Sequence, residues 1–294
     1  MHMSFVIENN VLKQYKGKGK SVVVPEGVQA IGNYVFCDCA ELETVKLPKT
    51  LHSIGESAFS GCENLKDLKV PEGVRRIGAY AFENCSKLAD REGFLIYKNC
   101  LFGYFGSSRE PKIPKEVKEI ATGAFLGRSD IERIILPDGV KSIGALAFAH
   151  CHLLSGIVLP LGLKAMGYGA FLNCTSLREI TVPEGVERLE DLLFDGCTSL
   201  QHVILPQSLR TIGSYAFSRC GALESQSIPE GTTSVGKYAF CFCQKLRSVS
   251  IPGSVTGLGA DLFSNCKRPA ILTEKGSPAH MMGKDLSLPV HFMG

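Results

Sequence analysis

Apolar residues recur along this chain in a unit of 23 residues. One copy contains Val45-Lys46-Leu47-Pro48, then Leu51, Ile54-Gly55, Ala58-Phe59, Cys62 and Leu65. The apolar-polar-apolar alternation before the proline predicts a short strand whose two apolar side chains face one way. Proline ends that strand because it has no N–H for the ladder. The next apolar pair predicts a return along the far wall, the glycine a turn, and the phenylalanine a filled centre.

The unit is repeated in ten copies, which two residue types mark. The prolines are Pro25, Pro48, Pro71, Pro114, Pro137, Pro160, Pro183, Pro206, Pro229 and Pro252. The phenylalanines are Phe36, Phe59, Phe82, Phe125, Phe148, Phe171, Phe194, Phe217, Phe240 and Phe263. A unit this short cannot bury a core alone, so the copies must stack as coils. We therefore expect a mostly β chain with short turns and 3-10 or helical pieces, built as a right-handed solenoid with a parallel sheet along one face.

These residues resemble the BspA-like leucine-rich-repeat family, whose motif is close to L-x-x-I-x-L-P-x-x-V-x-x-I-G-x-x-A-F-x-x-C-x-x-L. The segment from Leu42 to Leu65 carries that motif except at Val45 and Leu51. The resemblance covers residues 5–270. It implies a curved leucine-rich-repeat solenoid with a binding or adhesion role, often at bacterial surfaces, and no chemistry.

Four substitutions depart from the motif, and we expect them to distort the seventh and tenth coils. They are Glu190 at the glycine, Leu193 and Leu262 at the alanine, and Pro269 at the last leucine.

One step between prolines, from Pro71 to Pro114, is 43 residues long instead of 23. The extra segment, 94–106, aligns without a gap with 5–17, and both read as hairpins turning at two central residues. We expect one solenoid of residues 1–294: an N-terminal hairpin cap (1–22), repeats (23–89), an inserted hairpin (90–111), repeats (112–270) and a C-terminal cap (271–294). A continuous core through the inserted hairpin and a hinge at 94–106 are both open. Ser277-Pro278 predicts the start of a short helix in the last cap.

Composition narrows the function classes. The chain is 45% hydrophobic and 21% charged, with 32 basic and 29 acidic residues and a net charge of +3. This balance argues against a nucleic-acid or membrane-surface binder, and no apolar run approaches the roughly 20 residues of a membrane span. The first residues lack the pattern of a secretory signal. Location is open: the resemblance implies the cell surface or secretion, whereas a complete chain without a signal and with many thiols would suit the cytoplasm.

Nine cysteines follow the phenylalanines by three residues and predict a ladder. They are Cys39, Cys62, Cys85, Cys151, Cys174, Cys197, Cys220, Cys243 and Cys266. Neighbours would lie within disulfide reach, but nine cannot all pair, and buried cysteine commonly acts as a small apolar filler. We expect a structural ladder, no metal and no cofactor. His150-Cys151-His152 is the alternative ligand cluster, which we reject because Cys151 should point inward.

The residue two before each proline should face outward. In chain order this column is Val23, Lys46, Lys69, Lys112, Ile135, Val158, Thr181, Ile204, Ser227 and Ser250. Solvent-facing strands normally carry polar residues, so the apolar zone predicts a binding patch with a basic border. The predicted partner-binding residues are Lys46, Lys69, Lys112, Arg133, Ile135, Val158, Arg178, Thr181 and Ile204. The competing interpretation is that β-branched residues simply favour strands.

The sequence thus predicts a non-enzymatic module that recognises a protein or glycan partner through its strand face, in adhesion or as a scaffold. The alternative is a targeting or accessory domain for a separate carbohydrate- or peptide-processing enzyme. We expect a monomer with no nucleic-acid partner, no transmembrane segment and no catalytic residues.

Overall fold

The computed structural model describes residues 5–293, which form two compact units. Unit 1 contains residues 5–107 and 121–124, and unit 2 contains residues 108–120 and 125–293. Residues 1–4 of the expected N-terminal cap and residue 294 of the C-terminal cap lie outside the described part. The expectation of one solenoid with the five stated segments stays a prediction, and each unit is described by itself.

Unit 1 combines two hairpins with two ladders of short strands. Its strands are β1 (Phe5–Glu8), β2 (Val11–Tyr15), β3 (Ser21–Val23), β4 (Ala30–Ile31), β5 (Thr44–Lys46), β6 (Ser53–Ile54), β7 (Asp67–Leu68), β8 (Arg76–Ile77), β9 (Phe94–Tyr97) and β10 (Cys100–Tyr104). A 3-10 turn spans Ser86–Leu88. The front strands, which precede the prolines, form the ladder β3-β5-β7, and the return strands form β2-β4-β6-β8. Both ladders are parallel beyond the hairpin.

The two hairpins have the same construction. Each is antiparallel with one register shift, and each turns at two residues with positive φ, Asn9 (49°) and Asn10 (62°) in the first and Lys98 (44°) and Asn99 (63°) in the second. Asparagine tolerates this left-handed conformation better than most residues, which explains its presence at the turns. Strand β2 pairs with β4 and so covers the edge of the first return strand.

Unit 2 repeats the two ladders. Its strands are β11 (Glu119–Ile120), β12 (Arg133–Ile135), β13 (Ser142–Ile143), β14 (Gly156–Val158), β15 (Ala165–Met166), β16 (Glu179–Thr181), β17 (Arg188–Leu189), β18 (His202–Ile204), β19 (Thr211–Ile212), β20 (Ser225–Ser227), β21 (Ser234–Val235), β22 (Ser248–Ser250), β23 (Gly257–Leu258), β24 (Ala270–Thr273) and β25 (Val290–Phe292). Helix α1 (Pro278–Asp285) lies between the last two strands. The front ladders are β12-β14, β16-β18 and β20-β22-β24-β25. The return ladders are β11-β13-β15 and β17-β19-β21-β23.

A column of phenylalanines fills the centre of each unit. In unit 1, Phe36 and Phe59 are fully buried and stack with their ring centroids 5.0 Å apart. In unit 2 the column runs from Phe125 to Phe263, with successive centroids 5.2–5.8 Å apart. Each coil thus covers the ring of its neighbour, as a repeat too short for its own core requires. The mostly β, parallel-sheet solenoid expected from the sequence is confirmed in each unit.

The motif glycine after each return strand lies against the backbone of the preceding coil. A Cβ built on Gly167 would lie 2.4 Å from the Ala145 nitrogen, which is too close for any side chain. Glu190 replaces this glycine in the seventh coil, and no backbone hydrogen bond joins β15 to β17 there. On the phenylalanine side the two coils stay bonded, with the Phe171 amide donating to the Leu193 carbonyl at 3.0 Å. The distortion expected in the seventh coil is therefore present, on its strand side.

The tenth coil is distorted as well, because it is one residue shorter than the others. There Leu262 is buried, and the strand after Pro269, β24, pairs in parallel with β22 at a spacing of 22 residues (Ser248 with Ala270), whereas the preceding front strands pair at 23. Beyond it, helix α1 begins as expected: the Ser277 hydroxyl accepts a hydrogen bond from the His280 amide at 3.1 Å, and proline occupies the first turn.

Candidate functional site

The outward column of unit 2 carries an apolar cluster, which we call the strand-face patch. It consists of Ile135, Val158, Thr181 and Ile204. Ile135 is 49% exposed, Val158 80% and Ile204 63%. Ile135 pairs with Val158 across β12 and β14, and Thr181 pairs with Ile204 across β16 and β18. These pairs place the side chains on one face of neighbouring strands.

The alternation of each strand explains why these residues face solvent. In β12, Ile134 is buried whereas Ile135 is exposed, and in β18 Val203 is buried whereas Ile204 is exposed. The proline at the end of each strand fixes this register, because a slip by one residue would exchange the two faces. The side chains of the patch therefore lie in solvent and do not contribute to the buried core.

Leu161 extends the patch and was missed from the sequence. It follows Pro160 at the end of β14 and is 88% exposed. The same position after the neighbouring prolines holds Asp138 and Glu184. A leucine where these coils carry a charge was a readable signal, since an exposed large apolar side chain adjoining others indicates a contact surface.

The predicted basic residues of unit 2 lie around the patch. Lys112 forms a parallel bridge with Ile135, so it adjoins the first apolar side chain. Arg133 begins β12 and reaches Glu110 at 3.9 Å. Arg178 precedes β16, is exposed and forms no ion pair with any residue from 5 to 293. Lysine and arginine side chains at the edge of an apolar patch resemble the rim of an interface, where charged groups determine specificity more than affinity.

The other two predicted lysines, Lys46 and Lys69, belong to unit 1. Both are exposed, and neither forms an ion pair within the described part of that unit. Beside them Glu43 bridges Lys20 at 3.0 Å and Lys66 at 2.6 Å. The hydrogen bonds from Lys66 and Lys20 lower the pKa of Glu43 to about 2. Unit 1 thus has a charged strand face of its own, and the apolar patch belongs to unit 2.

The front ladder is interrupted on both sides of β16-β18. No backbone hydrogen bond joins β14 to β16, or β18 to β20, although both pairs of strands are in contact. At the second break Gln226 fills a position that is apolar in the neighbouring strands, and its Nε2 donates to the Val203 carbonyl at 3.3 Å. Its Oε1 is buried without a hydrogen-bond partner among the described residues. The side-chain amide thus replaces part of the ladder.

The cysteine ladder ties successive coils together. From Cys62 to Cys266, eight thiols each donate to the carbonyl of the phenylalanine 26 residues earlier, at 3.0–3.3 Å. Cys39 is half-buried. Burial raises the pKa of Cys85 and of Cys151 to about 12, so these side chains stay protonated donors at neutral pH. This geometry is that of a structural ladder.

Candidate metal ligands are not clustered in the described part of the chain. Among residues 5–293, no three His, Cys, Asp or Glu side chains are placed to hold a metal. His150 and His152 have ring centroids 5.8 Å apart, and His152 Nδ1 lies 3.1 Å from the Asn173 carbonyl. Within the same residues no helix has the length and hydropathy to cross a bilayer.

Comparison with known proteins agrees with the repeat. The family described as BspA type Leucine rich repeat region matches in six copies, over residues 6–92, 95–220 and 179–274. No curated protein matches the chain.

Two solved structures show a similar fold. One is a leucine-rich repeat protein from Bacteroides ovatus, 24% identical, with a TM-score of 0.56, covering 94% of this chain and 84% of its own. The other is a leucine-rich repeat protein from Eubacterium ventriosum, 20% identical, with a TM-score of 0.59, covering 87% of this chain and 88% of its own. At these identities the likeness concerns the fold alone.

Proposed function

This chain belongs to the BspA-type leucine-rich-repeat family, and on that premise we propose that the strand face of unit 2 is a non-enzymatic recognition surface for a protein or glycan partner. Its role would be adhesion or scaffolding. The observation that carries the proposal is the exposure of Ile135, Val158 and Ile204 on neighbouring strands, together with that of Leu161 in the turn that follows β14. Isolated apolar residues on a surface need no explanation, but adjoining ones indicate a contact site.

The composition of the face supports this interpretation. A binding surface usually has an apolar centre that loses water and a polar rim that excludes it. Val158 and Leu161 are the most exposed large apolar side chains of the described residues. Lys112, Arg133 and Arg178 surround the apolar group as a basic rim, which would steer a partner with an acidic or hydroxyl-rich surface.

The test is the double variant Ile135→Lys/Ile204→Lys. Both substitutions place a charge on the exposed face of a strand, so the core of unit 2 is untouched. We expect the affinity for the partner that the native protein captures, identified by mass spectrometry, to fall by about tenfold or more, because each central apolar contact of an interface commonly contributes 1–2 kcal/mol or more.

The matched control is Ser227→Lys, which adds the same charge to the same outward column on β20, the next front strand beyond the patch. It should leave binding within about twofold of native, since rim positions contribute little. Circular dichroism and thermal unfolding establish that each variant is folded. A folded double variant that captures its partner as well as the native chain does would refute the proposal.

A further inference from the structure

A groove of about 490 Å³ opens on unit 2 among the turns that carry the buried phenylalanines, away from the front strands. Tyr168, Leu192, Tyr215 and Phe242 form its apolar walls, and Asp195 and Arg219 lie between them. Its volume lies in the range of small-ligand sites. None of these residues belongs to the strand-face patch.

The aromatic rings of the groove are exposed yet positioned. Tyr168 is 47% exposed and Phe242 48%. The ring of Tyr215 stacks on Tyr238, with centroids 4.9 Å apart and planes at 15°. A hydrogen bond to Asp261 raises the pKa of Tyr238 and holds that phenol in place. The stack fixes Tyr215 before any ligand arrives, which reduces the entropy lost on binding.

Between the rings lies a fixed donor group. Both carboxylate oxygens of the buried Asp195 accept from Arg219, Oδ1 from Nε at 2.9 Å and Oδ2 from Nη2 at 2.6 Å. This two-point pairing fixes the plane of the guanidinium. A guanidinium has five N–H donors, and the described residues accept only from these two nitrogens. The remaining donors are available to an acceptor in the groove.

Two side chains of the groove, Arg219 and Phe242, are bulky at a position where most other coils carry asparagine or glycine. Both residues have a φ of 58°. The other coils place Asn84, Asn173 and Asn265, glycine, Asp38 or His150 at this position. Bulky side chains are unfavourable in this left-handed conformation, and such strain concentrates at functional sites.

The chemistry of the groove discriminates between ligands. The charges of Asp195 and Arg219 cancel, and the carboxylate of Asp191 remains, which disfavours an anion. Tyr168 and Tyr215 belong to coils two apart, so their backbones are separated by about 10 Å, twice the strand spacing. An ammonium group fits between rings at this distance, but it offers no acceptor to the remaining N–H donors of Arg219, which favour a ligand with hydroxyl groups.

A neutral sugar fits these features. Its C–H faces can lie on successive aromatic rings, while its hydroxyls accept from Arg219 and donate to Asp191. We propose that this groove binds a short neutral oligosaccharide, independently of the strand face. The rings provide the apolar contact area and the Asp195–Arg219 pair orients the hydroxyl edge.

The experiment is an array of neutral cello-, xylo-, manno- and galacto-oligosaccharides, with sialylated and sulfated glycans and short peptides for comparison. Calorimetry with the best neutral oligosaccharide then compares variants. Phe242→Asn removes one ring and installs the residue that three other coils already use, so it should fold. We expect its affinity to fall about tenfold, the loss of one aromatic contact. His150→Asn, which introduces the same residue in the same column outside the groove, should stay within about twofold.

Several outcomes would overturn the proposal: no neutral oligosaccharide binds, only anionic glycans or peptides bind, Phe242→Asn binds as the native protein does, or His150→Asn loses as much. The double variant Ile135→Lys/Ile204→Lys separates the two sites. It should keep the oligosaccharide affinity while losing the strand-face partner. Loss of the sugar by that variant alone would place the sugar on the strand face and refute the groove.

Discussion

Replacing Gln226 by valine should stabilise unit 2. Gln226 is buried in β20, and the next strand of the same ladder, β22, carries Val249 at the paired position. A buried amide oxygen without a partner costs about 1–3 kcal/mol, and Oε1 has none among the described residues. Valine removes that oxygen. It also removes the Nε2 group that donates to the Val203 and Ser227 carbonyls. Part of the gain, about 1 kcal/mol, is therefore lost unless the backbone ladder between β18 and β20 closes.

Taking the middle of that range, about 2 kcal/mol, and subtracting about 1 kcal/mol leaves a net gain of about 1 kcal/mol, which corresponds to a rise of the melting temperature of roughly 2–4 °C for a unit of this size. Thermal unfolding followed by circular dichroism measures it. Gln201→Val is the control, because Gln201 is exposed at the start of the neighbouring strand and its replacement should change stability by less than about 0.5 kcal/mol. An unchanged or lower melting temperature for Gln226→Val would show that the amide is better satisfied than the structure indicates.

Three further predictions follow from the ladders and the patch. Burial raises the folded-state pKa of Cys85 and Cys151 to about 12, above the unfolded value of about 8.5. The stability that these thiols contribute is therefore complete below about pH 8.5 and is lost as the pH rises above it. The loss is up to about 1.4 kcal/mol per thiol and pH unit. The urea midpoint should therefore fall from about pH 9 to 11, and a flat profile would contradict the buried ladder. Leu161→Glu introduces the residue that the next coil carries at this position. It should weaken partner capture several-fold (about 1 kcal/mol) and leave the melting temperature unchanged. Equal capture would show that Leu161 does not belong to the patch. Glu190→Gly should let β17 pair with β15, which would appear as slower amide hydrogen exchange in β17. The net stability should change little, because the glycine costs about as much as one hydrogen bond gains. Unchanged exchange would refute the steric explanation of the break.

The sequence predicted the parts of the fold that the repeat itself determines. The position of the prolines fixed which residues of each front strand point inward, so Ile134 and Ile135 were assigned to the correct faces. The spacing of the phenylalanines predicted their central column, and the paired segments at 5–17 and 94–106 predicted two like hairpins. These features depend on residues that recur at the same positions along the chain.

The sequence did not show where the ladders break or where the groove opens. The break beside Gln226 depends on whether one side-chain amide reaches a carbonyl of the next coil, which only the three-dimensional register decides. The groove depends on Tyr215 and Phe242, which occupy positions that vary between copies. Their exposure follows from the left-handed backbone conformation at these positions. A consensus of the repeat records only the invariant positions, so it does not include them.

Amide hydrogen exchange of the native protein, with and without its bound partner, tests the central claim most directly. If the strand face of unit 2 makes the contact, partner binding should slow exchange in β12, β14, β16 and β18 and in the turn that carries Leu161, and leave the other described strands unchanged. Protection confined to other strands or turns, with exchange in these four strands unaltered, would contradict it.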